Sequence, residues 1–341
     1  GAIIGDIVGS RFEWNNIKSK KFKFLTYKCS PTDDSIMTLA IAQAILVSKP
    51  DYSDLSMKVV ERMQTIGRHY PDCGYGREFY KWIFSDTPQP YNSFGNGAAM
   101  RVSAAGFAAN SLEETKLLSR KITEVTHNHP EGIKGAEATA IAIYLAKTGK
   151  NILEIRDYID KNYYPMNFTL DQIKSSYKFN ETCQNTVPQA LMAFFESTGF
   201  EDAIRNAISI GGDSNTIAAI CGGVAEAYYG IPSKLRKHAL TFLDEQLLQI
   251  LVVFENKYPP VMEKKTGDVR IPVERAASRK VEGSDRGSLI EQSVNAADAD
   301  TADAEATVEK TTSDKLFNHL FEACNILRGP INQDEYKSYV I

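Results

Sequence analysis

The sequence predicts an all-α protein. From Gly1 to about Pro260 apolar residues recur at helical spacing, Gly, Pro, Asn and Asp punctuate them at short intervals, and no run alternates apolar with polar residues as a half-buried strand would. The first strong helix opens after Pro31-Thr32-Asp33-Asp34 and carries Ile36, Leu39, Ala40, Ile45 and Leu46 on one face. A second opens at Pro130, whose fixed φ suits a first turn, and carries Ile133, Ala136, Ala140, Ile141, Tyr144 and Leu145. The segment from Ile217 to Tyr229 is rich in Ala, Gly and Cys. Such small side chains let neighbouring helices approach closely, so this segment is expected at the centre.

Beyond Pro259-Pro260 the composition changes. Residues 261–312 have few aromatics and contain the low-complexity run Asn295 to Ala306, which buries too little apolar surface to offset its ordering entropy and reads as a flexible acidic linker. A helix is expected from a cap at Ser313 or Asp314, with Leu316, Phe317, Leu320, Phe321, Cys324 and Leu327 on one face and Gly329-Pro330 as its stop. Residues 313–341 are too few for an independent core, so this tail must dock on something or stay exposed. The expected organisation is therefore a helical domain over 1–260, a linker over 261–312 and a helical tail over 313–341.

Composition narrows the function classes. With 43% hydrophobic and 24% charged residues the chain is neither collagen-like nor disordered throughout. Thirty-nine Lys and Arg against 43 Asp and Glu give a net charge of −4, so no general basic field advertises nucleic acid or an anionic membrane. Cysteines at 29, 73, 183, 221 and 324 are widely spaced without a CxxC pair and read as buried thiols of a reducing cytoplasm. No apolar stretch reaches the roughly 20 residues that span a bilayer, and no signal pattern opens the chain, so a cytoplasmic protein without membrane attachment is expected.

Two helix starts carry more oxygen than a helix needs. In Thr32-Asp33-Asp34-Ser35 and in Asp213-Ser214-Asn215-Thr216, one side chain would suffice as a cap and the rest would serve the dipole. Taken singly each has that plain explanation. If the two starts converge, however, their carboxylates repel unless a cation lies between them. The set Thr32, Asp33, Asp34, Asp213, Asn215 and Thr216 offers only hard oxygen, which selects Mg²⁺, Mn²⁺ or Ca²⁺ over zinc. Gly74-Tyr75-Gly76 and Ser93-Phe94-Gly95-Asn96-Gly97 are either ordinary turns or backbone that approaches phosphate oxygens closely, and they match neither a Walker loop nor a dinucleotide fingerprint. Thr126-His127-Asn128-His129-Pro130 reads as one ligand-facing and one structural histidine. Glu13, on spacing alone, is a surface carboxylate.

Together these motifs, with Gly5-Asp6-Ile7-Val8-Gly9 ahead of Glu13, resemble in order and spacing the ADP-ribosylglycohydrolase family, in particular the bacterial members related to dinitrogenase reductase-activating glycohydrolase. The resemblance covers residues 1 to about 258. It implies an all-helical fold with two Mg²⁺, or Mn²⁺, at the base of an ADP-ribose cleft. It implies Thr32, Asp33, Asp34, Asp213, Asn215 and Thr216 as metal ligands and Glu13 as the mobile carboxylate at the scissile bond, so that Glu13, Asp33 and Asp213 carry catalysis. It also implies that Gly74, Tyr75, Gly76, Ser93, Phe94, Gly95, Asn96, Gly97 and His127 hold the diphosphate and riboses of ADP-ribose or of an ADP-ribosylated protein, nucleic acid or small molecule. One position departs: the family pattern is Gly-Gly-Asp-Ser/Thr-Asp-Thr, and Asn215 stands where the second Asp belongs. An amide offers oxygen without charge, so a weakened metal site and a slow or merely binding protein is the alternative reading. The tail from Lys315 to Gly329 and from Asp334 to Ile341 resembles the opening of the modification subunit of type I restriction systems, without that enzyme's catalytic motif. This implies docking on a restriction-modification subunit, and an interaction protein of such a complex is the third reading.

Overall fold

A computed structural model describes residues 1–259. The linker expected over 261–312 and the tail over 313–341, with its restriction-subunit docking, lie outside the described residues. Among the described residues the fold is all-α, as the periodicity predicts: fifteen α-helices and two short 3₁₀ turns, with no strand beyond an isolated antiparallel bridge between Gly95 and Thr182.

Helix α1 (Ala2–Gly9) leads through a 3₁₀ turn (Ser10–Phe12) to a long irregular segment, and α2 (Asp33–Val47) follows. Then come α3 (Leu55–Gly67), α4 (Arg77–Ile83), the short α5 (Gly97–Met100) and α6 (Ser103–Ala108). Next are α7 (Leu112–Thr123), α8 (Pro130–Lys147), α9 (Ile152–Asn162) and α10 (Leu170–Lys174). The second 3₁₀ turn (Cys183–Asn185) precedes α11 (Val187–Phe195), α12 (Phe200–Ser209), α13 (Ser214–Tyr229), α14 (Ser233–Leu240) and α15 (Glu245–Lys257). Local chemistry sets many of the starts: Thr32, Ser111, Asn151, Thr169 and Asp244 each accept a backbone N–H in the first turn of their helices, and Pro130 occupies the first turn of α8.

Every residue of α13 is buried, so the small-residue segment is central as expected. Helices α1, α8, α11 and α12 pack around it. The approach of α1 depends on glycine: a Cβ on Gly5 would lie 2.0 Å from the Ala218 carbonyl oxygen, and one on Gly9 would lie 2.5 Å from the Asn215 Cα. No side chain fits between these backbones. The one-sided face read for α2 is too narrow, because Asp34 through Ala42 are all buried. The helix is sandwiched between α3 on one side and α1, α6 and α15 on others, so its residues between the large apolar positions are covered as well.

Cys29, Cys183 and Cys221 are buried thiols, while Cys73 is only half-buried. None of the described helices is long and apolar enough to cross a membrane.

Candidate active site

The two oxygen-rich helix starts meet. Thr216 Oγ1 donates to Asp34 Oδ2 at 3.2 Å, and Asn215 Nδ2 reaches both Asp34 Oδ2 and Thr32 Oγ1 at 3.2 Å. Thr32 is the cap of α2, accepting from the Asp34 N–H. Asp213 occupies the cap position of α13 but does not cap it; its Oδ2 accepts instead from Asn96 Nδ2 at 2.7 Å. Asp33 faces the other way, toward the glycine loop, where a Cβ on Gly74 would stand 3.3 Å from Asp33 Oδ1. Gly74 has φ +113°, a conformation that favours glycine, and this lets the loop pass over the carboxylate. Two buried oxygens in this cluster, Asp34 Oδ1 and Asn215 Oδ1, have no hydrogen-bond partner.

The electrostatics of the cluster ask for positive charge. Burial raises the Asp33 and Asp34 carboxyls well above the usual range, and neighbouring carboxylates, Asp6 first, add to it. Asp213 is raised to about 6 by burial, against its hydrogen bonds from Asn96 and Thr216. Glu13, about half-buried, is raised to about 7 by burial and then by Asp213, Asp6 and Glu181. No lysine or arginine is among the main influences on any of them. A buried like-charge cluster with orphaned oxygens fits a divalent cation. Among the described residues no three His, Cys, Asp or Glu side chains are gathered to hold an ion by themselves, so an ion here would draw on hydroxyl and amide oxygens as well.

The second glycine loop closes the other side. Ser93 Oγ accepts from the Gly95 N–H at 3.1 Å, the Asn96 N–H donates to the Glu181 carbonyl at 2.7 Å, and Gly97 opens α5. His127 is buried with Nε2 toward this loop: Cβ atoms on Gly95 and Gly97 would lie 3.5 and 3.4 Å from it. His129 instead caps α8 through Nδ1 and packs its ring on Phe94, which is 43% exposed at the edge of the loop. Tyr75 is partly buried against Phe79, and Gly76 starts α4. The sequence-derived residues thus fall into two adjoining groups, an oxygen cluster and a pair of glycine loops, joined by Asp33 against Gly74 and by Asn96 against Asp213.

The profile of the ADP-ribosylglycohydrolase family matches residues 1–258. The chain belongs to the ADP-ribosylglycohydrolase family. Relatives include human ADP-ribosylhydrolase ARH3, 24% identical with 68% of this chain and 84% of that protein covered. ADP-ribosylarginine hydrolase Tri1 of Pseudomonas putida is 26% identical, with 68% of this chain and 69% of that protein covered. A solved structure of an ADP-ribosylglycohydrolase-related protein complex superposes with TM-score 0.55 at 21% identity, over 75% of this chain and 95% of that chain, and so shares the fold.

In this member of the family three further side chains organise the site, and sequence reasoning gave them no role. Asp6 accepts from Thr32 N at 2.8 Å, Thr32 Oγ1 at 2.6 Å and Ser35 N at 3.1 Å, so α1 orients the start of α2. Asn16 staples the Glu13 segment to the turn before Asp213: Nδ2 donates to the carbonyls of Phe12 (2.7 Å), Glu13 (3.0 Å) and Gly212 (2.8 Å), and Oδ1 accepts from Gly212 N at 2.7 Å. Arg101, 1% exposed, donates to Thr126 Oγ1 at 2.6 Å and lies 5.5 Å over the Phe79 ring, bridging the surroundings of both glycine loops. Asp6 stands inside the Gly5–Gly9 motif and Arg101 four residues beyond the Ser93–Gly97 motif, yet nothing local distinguishes them; Asn16 carries no motif signal at all. A separate, mainly apolar cavity of about 80 Å³, lined by Ile4, Leu39, Phe107, Leu251 and Phe254 among others, shares none of these residues.

Proposed function

We propose that this chain hydrolyses the glycosidic bond at the anomeric ribose carbon of an ADP-ribosylated substrate and releases ADP-ribose, using two Mg²⁺ or Mn²⁺ held by Thr32, Asp33, Asp34, Asp213, Asn215 and Thr216. The observation that carries this reading is the convergence of two helix starts around buried, unpartnered oxygens in a member of this family. When bound, such ions neutralise the carboxylates and polarise ribose hydroxyls and water.

The chain's own residues supply the rest. The Gly74–Gly76 and Gly95–Gly97 backbones cradle the diphosphate, His127 adds a polar contact, and the exposed Phe94 ring offers a face for the base. Glu13, whose carboxyl is pushed up by burial and by neighbouring carboxylates, Asp213 first, is the group placed to hold or release a proton at the scissile bond. The acceptor remains a class: arginine, serine, a nucleobase and O-acetyl-ADP-ribose all present the same ADP-ribose handle.

The test is ADP-ribose release from a panel of those four substrates, with Mn²⁺ and with chelator. Turnover with Mn²⁺, its loss in chelator and a drop of roughly 100-fold or more in Asp33→Ala and Asp213→Ala are expected. Undiminished release in chelator or in both variants would overturn the metal-dependent scheme.

One observation favours a second reading, an ADP-ribose-binding module. Asn215 Nδ2 meets Asp34 and Thr32 with hydrogen-bond donors, doing part of what a cation would do there. ADP-ribose affinity without turnover at saturating Mn²⁺ on every substrate would select it.

A further inference from the structure

We infer that Thr126 and Arg101 are positioning residues that fix His127 in the tautomer protonated on Nε2, so that the ring presents a standing N–H donor to an acceptor oxygen, of a phosphate or a ribose hydroxyl, in the Gly95–Gly97 loop. This rests on the reading of that loop as part of an ADP-ribose cradle.

A threonine hydroxyl has one proton to give and lone pairs to receive, whereas a guanidinium only donates. Arg101 Nη2, 2.6 Å from Thr126 Oγ1, therefore takes up a lone pair of that oxygen. The hydroxyl proton has two acceptors in reach: the Thr123 carbonyl at 3.5 Å and His127 Nδ1 at 2.7 Å. The first is at the limit of a hydrogen bond and the second is near its optimum, so the proton points to Nδ1. With Nδ1 accepting, the neutral ring carries its own proton on Nε2. The ring is held neutral by burial and then by the charge of Arg101 behind it, which together push its pKa well down.

The direction of Nε2 gives this tautomer a use. It faces the loop, 3.5 and 3.4 Å from where Cβ atoms on Gly95 and Gly97 would stand, and among the described residues it has no acceptor. The opposite tautomer would turn a lone pair toward the cradle, repelling a phosphate oxygen and leaving a ribose hydroxyl only the donor role. The cost of the arrangement is visible at Arg101, a buried cation whose Nε is unpaired and which, among the described residues, has no carboxylate as a main electrostatic neighbour. Its guanidinium is held by Thr126 and the face of Phe79.

The full chain, labelled with nitrogen-15 histidine, is examined near neutral pH by long-range proton–nitrogen correlation, with the His127 signals identified by their absence in His127→Gln. The expected spectrum shows Nε2 protonated and Nδ1 bare. Thr126→Ser should keep that pattern, and Thr126→Val should lose the tautomer preference and weaken ADP-ribose binding about tenfold in a calorimetric titration. A ring protonated on Nδ1 in the unmutated chain would overturn the inference, as would Thr126→Val leaving tautomer and affinity unchanged. Should the valine variant fail to fold by circular dichroism, the unmutated spectrum alone decides. Should the unmutated chain not bind ADP-ribose, the cradle reading falls while the tautomer is still read directly.

Discussion

Asn215 concentrates the chemistry of the whole cluster in one amide. Its nitrogen lies 3.2 Å from Asp34 Oδ2, so a carboxylate at this position would face another carboxylate across that gap. On the proposed function, Asn215→Asp should bind Mn²⁺ about tenfold more tightly in calorimetry and melt at a lower temperature in chelator, because the same added charge that attracts the ion repels Asp34 without it. Equal affinity in both forms would detach this position from metal binding. What the sequence disclosed at this scale was surplus: Thr32 caps α2 by itself, which leaves Asp33 and Asp34 as oxygens beyond the needs of that helix start. Asp6 stayed hidden because a single Asp among Ile, Gly and Val names no partner, and the partners it finds lie 26 and 29 positions away. Arg101 stayed hidden for the same reason, since its role is defined by Thr126 and Phe79 and not by its neighbours in the chain.

Among the elements, the contact of α1 with α13 does most to set the site. Gly1, Gly5 and Gly9 recur every four residues, so they line one side of α1 and meet Gly222, Ala218 and Asn215 in turn. That close seating carries Asp6 to the start of α2. Gly5→Ala should cost on the order of 3 kcal/mol, read as a fall in the chemical-denaturation midpoint, because its new methyl would meet a rigid backbone carbonyl. A midpoint within error of the parent would mean that the two helices can separate without penalty. The helices that open after Thr32 and at Pro130 were legible, since caps and apolar spacing are local. Their mutual approach was half-legible: the small residues of α13 announced a central helix, but its partner could not be named. The all-round burial of α2 was not legible, because polar and small residues between large apolar ones look the same whether water or another helix covers them.

Across the whole molecule, the crowded carboxylates tie stability to acidity and, on the proposed function, to divalent ions. A carboxyl whose pKa is raised in the folded state favours that state when protonated. For Glu13, about 7 against 4.5, and Asp213, about 6 against 3.8, that stabilisation is fully present below about pH 4 and is lost as the pH rises through the folded values. In chelator the chain should therefore melt lower at about pH 8 than at about pH 5, with Mg²⁺ or Mn²⁺ recovering the difference, and Asp33→Asn should flatten the pH slope. A melting temperature in chelator that ignores pH would show that these charges do not burden the fold. The net charge of −4 gave no warning of this, because the repulsion comes from where the acids sit and not from how many there are.

The bond from Thr216 to Asp34 joins residues 182 positions apart. During synthesis, then, α2 emerges with its acidic start exposed and unmatched long before α13 exists. A nascent chain lacking the last of its central helices would have only half a centre, with Asp6 and Ser35 holding the first half in waiting. On the proposed function, occupancy by a divalent ion would consequently mark the moment when the two ends of the domain have found each other, and the ion would report completed folding.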